Sequence, residues 1–143
     1  MRVRAFEIVT AAFFLATAAQ AADVQVSDGW FRFLTPQVPA GGYFTLKNNG
    51  KSAIVLTGAT SQACGMLMMH QSTDEGGMSS MQDVANIPVA AGGSVKFAPG
   101  GYHLMCMNPT PAMKPGATIA VAFKLSDNSD VKADFAVKNG QGK

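Results

Sequence analysis

The sequence predicts an all-β fold, a single-domain antiparallel Greek-key sandwich or barrel. Three observations lead there. Short segments of alternating apolar and polar residues recur at roughly 8–12-residue spacing. Glycine, proline and asparagine fall between them. No segment carries a convincing helical repeat of apolar positions.

The elements follow in chain order. Val24 and Val26 alternate with Asp23, Gln25 and Ser27. Phe44 and Leu46 alternate with Thr45 and Lys47, and Asn48-Asn49-Gly50-Lys51 reads as a turn into Ile54-Val55-Leu56. Met66 to His70 is a further candidate strand. Val95 and Phe97 flank Lys96, and Pro99-Gly100-Gly101 is a turn that launches a strand from Tyr102 to Met107. Near the end, Ile119, Val121, Phe123 and Leu125 form one period-two pattern, and Val131, Ala133, Phe135 and Val137 form another. Ser126 to Asp130 reads as the hairpin loop between them. The polar tail 139–143 is expected to fray. With no internal repeat and no linker, residues 22–143 are expected to form one domain.

The N-terminus has the pattern of an export signal. Met1-Arg2-Val3-Arg4 is a short positive region, and Ile8 to Ala19 is apolar but too short to span a bilayer. Ala19-Gln20-Ala21 fits the small-x-small cleavage rule, so residues 1–21 are expected to be a signal peptide and the mature chain to begin at Ala22. No later apolar run is long enough for a membrane span after cleavage. Export would place the chain in an oxidising compartment. The formal net charge of +2 comes with no basic run, which argues against a nucleic-acid partner. Gly-x-Ser-x-Gly, His-Glu-x-x-His and P-loop motifs are all absent, so enzyme classes have little support.

The methionines are the unusual feature. Eight of nine fall between Met66 and Met113, together with both histidines and both cysteines. Asp74, Glu75 and Asp83 are the only carboxylates between Cys64 and Met113. Thioethers and imidazoles with few hard oxygens suit a soft ion, above all Cu(I). On strands, Met66, Met68 and His70 would share one face, with Leu67 and Met69 on the other. Likewise His103, Met105 and Met107 would share a face opposite Leu104 and Cys106. His103 and Met105 then lie about 7 Å apart along one strand face. Gly76-Gly77 would let a flexible loop swing Met81 over the same point. A four-donor site of His70, Met81, His103 and Met105 is therefore expected, with Met78 as a competitor for the place of Met81. Met66, Met69 and Met113 are expected to be core or surface filler.

The spacing His70-x10-Met81-x21-His103-x-Met105, with Pro99-Gly100-Gly101-Tyr102-His103 around the second histidine, resembles the PCu(A)C family of periplasmic copper chaperones. Trp30 and Arg32, the strand Ala40 to Asn48, and Lys114-Pro115-Gly116 before an alternating strand are also similar to that family. The resemblance implies a cupredoxin-like sandwich, a periplasmic location and one exposed Cu(I) held by His70, Met81, His103 and Met105. It also implies delivery to a copper-accepting protein: the dinuclear centre of a cytochrome c oxidase subunit, directly or through a Sco-type protein. The His- and Met-rich C-terminal extension of some members, which holds a second copper, has no counterpart in this tail.

Cys64 and Cys106 lie outside the four-donor pattern. In an exported chain with two cysteines the expected arrangement is one disulfide between them, although free thiols or metal ligation are alternatives. A blue-copper electron-transfer site is a rival function, since His70, His103, Cys106 and a methionine supply its residue types. No histidine follows Cys106, as the usual loop of such a site requires. A metal-free sandwich using its methionines as a contact surface is the third reading. N-terminal sequencing of the native exported protein should begin at Ala22 or within a residue or two; an intact Met1 in that fraction would refute the export reading.

Overall fold

Every alternating segment forms a strand in the computed structural model, which describes residues 23–75 and 77–143. The expected signal segment 1–21 lies outside those residues, as does Gly76. The strands are β1 (Val24–Arg32), β2 (Ala40–Asn48), β3 (Ile54–Thr60), β4 (Cys64–Glu75), β5 (Met78–Asp83), β6 (Ile87–Val89), β7 (Ser94–Phe97), β8 (Tyr102–Pro109), β9 (Thr118–Leu125) and β10 (Asp130–Lys138). They pair in the order β5-β4-β8-β2-β1-β10-β9-β3-β6. One edge of β2 is shared: Ala40–Gly42 pairs with β8, and Phe44–Lys47 pairs with β7.

The antiparallel expectation needs one amendment. Among the described residues, β1 and β10 pair parallel, with Trp30 opposite Ala136 and Arg32 opposite Lys138. The parallel pair, of two strands distant in sequence, joins two antiparallel blocks, β5-β4-β8-β2-β1 and β10-β9-β3-β6. Neither strand's own alternation could reveal which partner it takes.

The path of strands closes over a phenylalanine core. Phe44 on β2 and Phe123 on β9 stand three places apart in the strand order, yet their ring centroids are 4.6 Å apart. Phe44 also meets Phe97 at 4.3 Å and Phe135 at 5.7 Å. These contacts cross a sandwich rather than follow one flat sheet. Each buried phenylalanine contributes roughly 1.5–3 kcal/mol through the apolar area it withdraws from water. Gly42 is required by the same packing: a Cβ there would meet the Phe31 ring at 2.6 Å and the Leu104 Cβ at 2.9 Å. Asn48, the one fully inward polar side chain of β2, donates from Nδ2 to the Ser52 and Ala90 carbonyls at 2.8 and 3.2 Å, while its Oδ1 accepts from Gly50 N–H at 3.0 Å. It ties the turn after β2 to the segment between β6 and β7.

Cys64 and Cys106 are joined by a disulfide on the core face of β4 and β8, with a Cα–Cα distance of 5.3 Å. The register of the pair places Leu67 opposite Cys106 and Cys64 opposite Pro109. The bridge spans 42 positions of sequence. In the loop-entropy account such a crosslink restricts the unfolded chain by about 4 kcal/mol. Replacing both cysteines by alanine should lower unfolding stability by an amount of that order, read as a fall in the urea midpoint. An unchanged midpoint would contradict this account of the bridge.

Candidate metal centre

Two strands bring the histidines together. His70 on β4 lies directly opposite His103 on β8, and Met68 lies opposite Met105 one row along. The rings are 5.6 Å apart, nearly perpendicular at 83°. Side-chain alternation puts Leu67, Met69, Leu104 and Cys106 on the core side, leaving His70, His103 and Met105 on the other.

Met81 reaches this face differently from the sequence expectation. It sits on strand β5, opposite Ser72, and not on a flexible loop. The long hairpin of β4 and β5 runs without a break in register from His70–Asp83 to Glu75–Met78. Ser72 is two residues from His70 on the same face, so Met81 is a diagonal neighbour of His70. Met78 is three residues from Met81 and faces the opposite way, which removes it as a competitor. Met81 is 61% exposed, on the outermost strand of the sheet.

The turn before β8 fixes the second imidazole. Gly100 adopts a φ of 85°, open to glycine at little cost. The turn is closed by Gly101 N–H donating to Ala98 O at 3.0 Å. The Gly101 carbonyl then accepts from Ser72 N–H at 3.1 Å and lies 3.2 Å from His103 Nδ1. A carbonyl only accepts, so the hydrogen bond places the ring proton on Nδ1 and leaves the Nε2 lone pair free. His103 is only 6% exposed, and its Nε2 has no hydrogen-bond partner.

His70 is also unsatisfied. Asp83 Oδ1 comes within 2.8 Å of its Nε2, close enough for an ion pair with a protonated ring. The approach lacks hydrogen-bond alignment, however, and neither ring nitrogen has a hydrogen-bond partner. A hydrogen bond of poor angle contributes little even at short distance. Four buried side-chain polar atoms lack partners among the described residues, and three are imidazole nitrogens of His70 and His103. Such groups are costly to bury unpaired unless a ligand satisfies them.

An open cleft of about 330 Å³ gathers Met81, His103 and Met105 with Ser72, Tyr43 and Arg32. Its floor depends on Gly41, which is opposite both Met105 and Arg32. A Cβ at Gly41 would crowd Tyr43 Oη at 2.9 Å. The Arg32 guanidinium lies over the Trp30 and Tyr43 rings, 5.4 and 5.8 Å from their centroids, at cation–π range. Asp83, Arg32, Tyr43 and Ser72 were not picked out from sequence as parts of this site. Asp83 follows Met81 by two and shares its strand face, a relation that appears only once β5 is known to be a strand.

The donor set comprises imidazoles with free lone pairs and neutral thioethers, with one carboxylate at the rim. No group of three or more His, Cys, Asp or Glu side chains suited to a metal occurs among the described residues. A four-donor site here therefore has to draw on methionine sulfur, which favours a soft monovalent ion. Long-range proton–nitrogen correlation spectra of the metal-free protein at neutral pH should show His103 as the Nδ1–H tautomer. The opposite tautomer would rule out the Gly101 hydrogen bond.

Comparison with known proteins agrees with the fold and places the chain. The profile of the LpqE-like family, described as lipoproteins, matches residues 24–137. Lxx21020 of Leifsonia xyli subsp. xyli, named as a lipoprotein, is 32% identical over 124 residues, covering 86% of this chain and 74% of that protein. The uncharacterised RP573 of Rickettsia prowazekii is 27% identical over 99 residues, 68% of this chain and 54% of its own length. Among solved structures, the copper-bound PCuAC domain from PmoF2 superposes with a TM-score of 0.67 at 19% identity, covering 82% of this chain and 93% of that domain. Apo-DR1885 from Deinococcus radiodurans gives 0.63 at 26% identity, covering 97% of this chain and 94% of that protein. Its Cu(I) form gives 0.60 at 26% identity, covering 86% and 85%. The chain belongs to the LpqE-like family and has the cupredoxin-like β-sandwich fold of the solved PCuAC domains.

Proposed function

We propose that this protein is an exported copper chaperone. It holds one Cu(I) on His70, Met81, His103 and Met105 and passes it to a copper-accepting protein. The observation that carries the reading is the pair of imidazoles on facing strands, each with an unpartnered nitrogen, beside the thioethers of Met81 and Met105. Solved relatives support the choice of ion, since the PmoF2 domain binds copper and DR1885 binds Cu(I). The lipoprotein description of the family supports export. The role assigned is binding and transfer, with no chemical reaction. A cytochrome c oxidase subunit, reached directly or through a Sco-type protein, is the recipient proposed.

The ligand chemistry suits transfer. Thioethers and imidazoles are neutral, so Cu(I) binding releases no thiol proton. The bound ion keeps its single positive charge in an open cleft. An incoming thiolate therefore meets a cationic centre and can displace ligands one at a time. Met81 is the first candidate to leave, because it is the most exposed donor and stands on the edge strand. A blue-copper site gains no support here: Cys106 is bridged to Cys64 on the core face and offers no thiolate.

Anaerobic Cu(I) competition titration tests the assignment, with circular dichroism as the check on folding. Met81→Leu and Met105→Leu conserve size and apolar character, so the fold should survive while affinity falls roughly tenfold or more. His70→Ala and His103→Ala should weaken binding at least as much. Met113→Leu, a change confined to the core, should leave it unaltered. Parental affinity in both Met105→Leu and His103→Ala would overturn the site.

A further inference from the structure

We propose a second soft-metal site on the outer face of β4 and β8, formed by the thioethers of Met66, Met68 and Met107 and able to take Cu(I) or Ag(I). It lies beside the site proposed above, uses none of its ligands and does not depend on that reading.

The strand register sets up the site. Three successive cross-strand pairs share one face of β4 and β8: His70 with His103, Met68 with Met105, and Met66 with Met107. Every position in these three rows carries nitrogen or sulfur as its donor. The outward face of such a strand pair is ordinarily polar, with apolar residues kept for the core side. Here the core side is already filled by Leu67, Met69, Leu104 and Cys106, all buried or packed on the core. Core packing therefore does not account for Met66, Met68 and Met107. Met69 and Met113 are the methionines that serve as core filler, at 5% and 2% exposure.

Geometry allows the three sulfurs to meet. Met66 and Met107 are directly opposite, which sets their Cβ atoms about 4.5–5.5 Å apart. Met68 follows Met66 at roughly 7 Å on the same face. The three rotatable bonds of methionine let its sulfur swing over that distance. No carboxylate, amine or hydroxyl stands in these rows, and Asp83 shares a cleft with Met68 alone of the three, so the patch offers three neutral soft donors to a soft cation. Met66 is 57% exposed, which opens the place to solvent. The exposure agrees with the surface half of the expectation that Met66 is core or surface filler, and the proposal adds a ligand role. Lacking an imidazole, the site should bind more weakly than the His and Met centre and load second.

The test uses the full mature chain and counts metal. Anaerobic Cu(I) competition titration and native mass spectrometry with Ag(I) should both find two equivalents in the parent, the second at least tenfold weaker. The variant Met66→Leu/Met68→Leu/Met107→Leu should take one equivalent, with the affinity of the first unchanged. The variant His70→Ala/His103→Ala should keep one weak equivalent, which the three leucines then abolish. Circular dichroism confirms that each variant is folded. One equivalent in the parent that persists in the triple-leucine variant, or two in that variant, overturns the second site. A parent that loads only the equivalent sensitive to the three leucines would instead refute the His and Met centre and leave this one standing.

Discussion

The backbone ladder between β4 and β8 sets His70 opposite His103 and Met68 opposite Met105, and the donor face of the protein follows from that register. A slip of one residue would turn His70 and Met68 toward the core and bring Leu67 and Met69 outward. The register is held from both sides. On the core face, the Cys64–Cys106 bridge crosses the same two strands. At the other end, the Gly101 carbonyl accepts the Ser72 amide of β4 and lies within reach of the His103 ring. All four proposed ligands fall inside the segment that the disulfide closes. The crosslink thus confines the site's residues in the unfolded chain as well as in the native state.

Rigidity is graded across the site. His103 is buried, placed by a glycine turn and oriented by a backbone carbonyl. Such support fixes the orientation and tautomer of the ring. Met81 has the opposite setting. Its strand is the outer edge of the sheet, all six residues of β5 are exposed, and only β4 pairs with it. Edge segments with few buried contacts open at low free-energy cost. With the proposed ligands, a fixed histidine next to a yielding thioether would give a centre that keeps its geometry while one bond is exchanged.

Much of this was legible in the sequence, and the exceptions have physical causes. The alternation in 119–125 and 131–137 gave strands because one face of each packs on the core and the other meets water. His103-x-Met105 gave a shared face for the same reason. Strand β5 was not legible. Met78-Ser79-Ser80-Met81-Gln82-Asp83 is exposed on both faces, so it carries no apolar alternation, and its strand form comes from pairing with β4. Short β6 contains Pro88, which demotes a strand signal even at a sheet edge. The parallel β1–β10 contact depends on the global path of the chain. The parity of Met78 could have been read only once β5 was recognised as a strand, because a loop has no parity.

Charge around the proposed centre bears on which oxidation state it favours. The four proposed ligands are neutral, so an ion on them would be felt at its full charge by its surroundings. Arg32 lines the same cleft, and its guanidinium is held by the Trp30 and Tyr43 rings rather than by a carboxylate. A fixed cation repels a doubly charged ion twice as strongly as a singly charged one at the same distance. Asp83 stands against His70 and offsets part of that field, but it is on the exposed edge strand where water screens it. The less screened charge is the one held over the rings, since Arg32 is half-buried and its Nε is withdrawn from water. The Arg32 charge acts against Cu(II) more than against Cu(I), in the same direction as the preference of the thioethers. Thioether softness and the Arg32 charge act together, while Asp83 beside His70 acts the other way from the exposed edge.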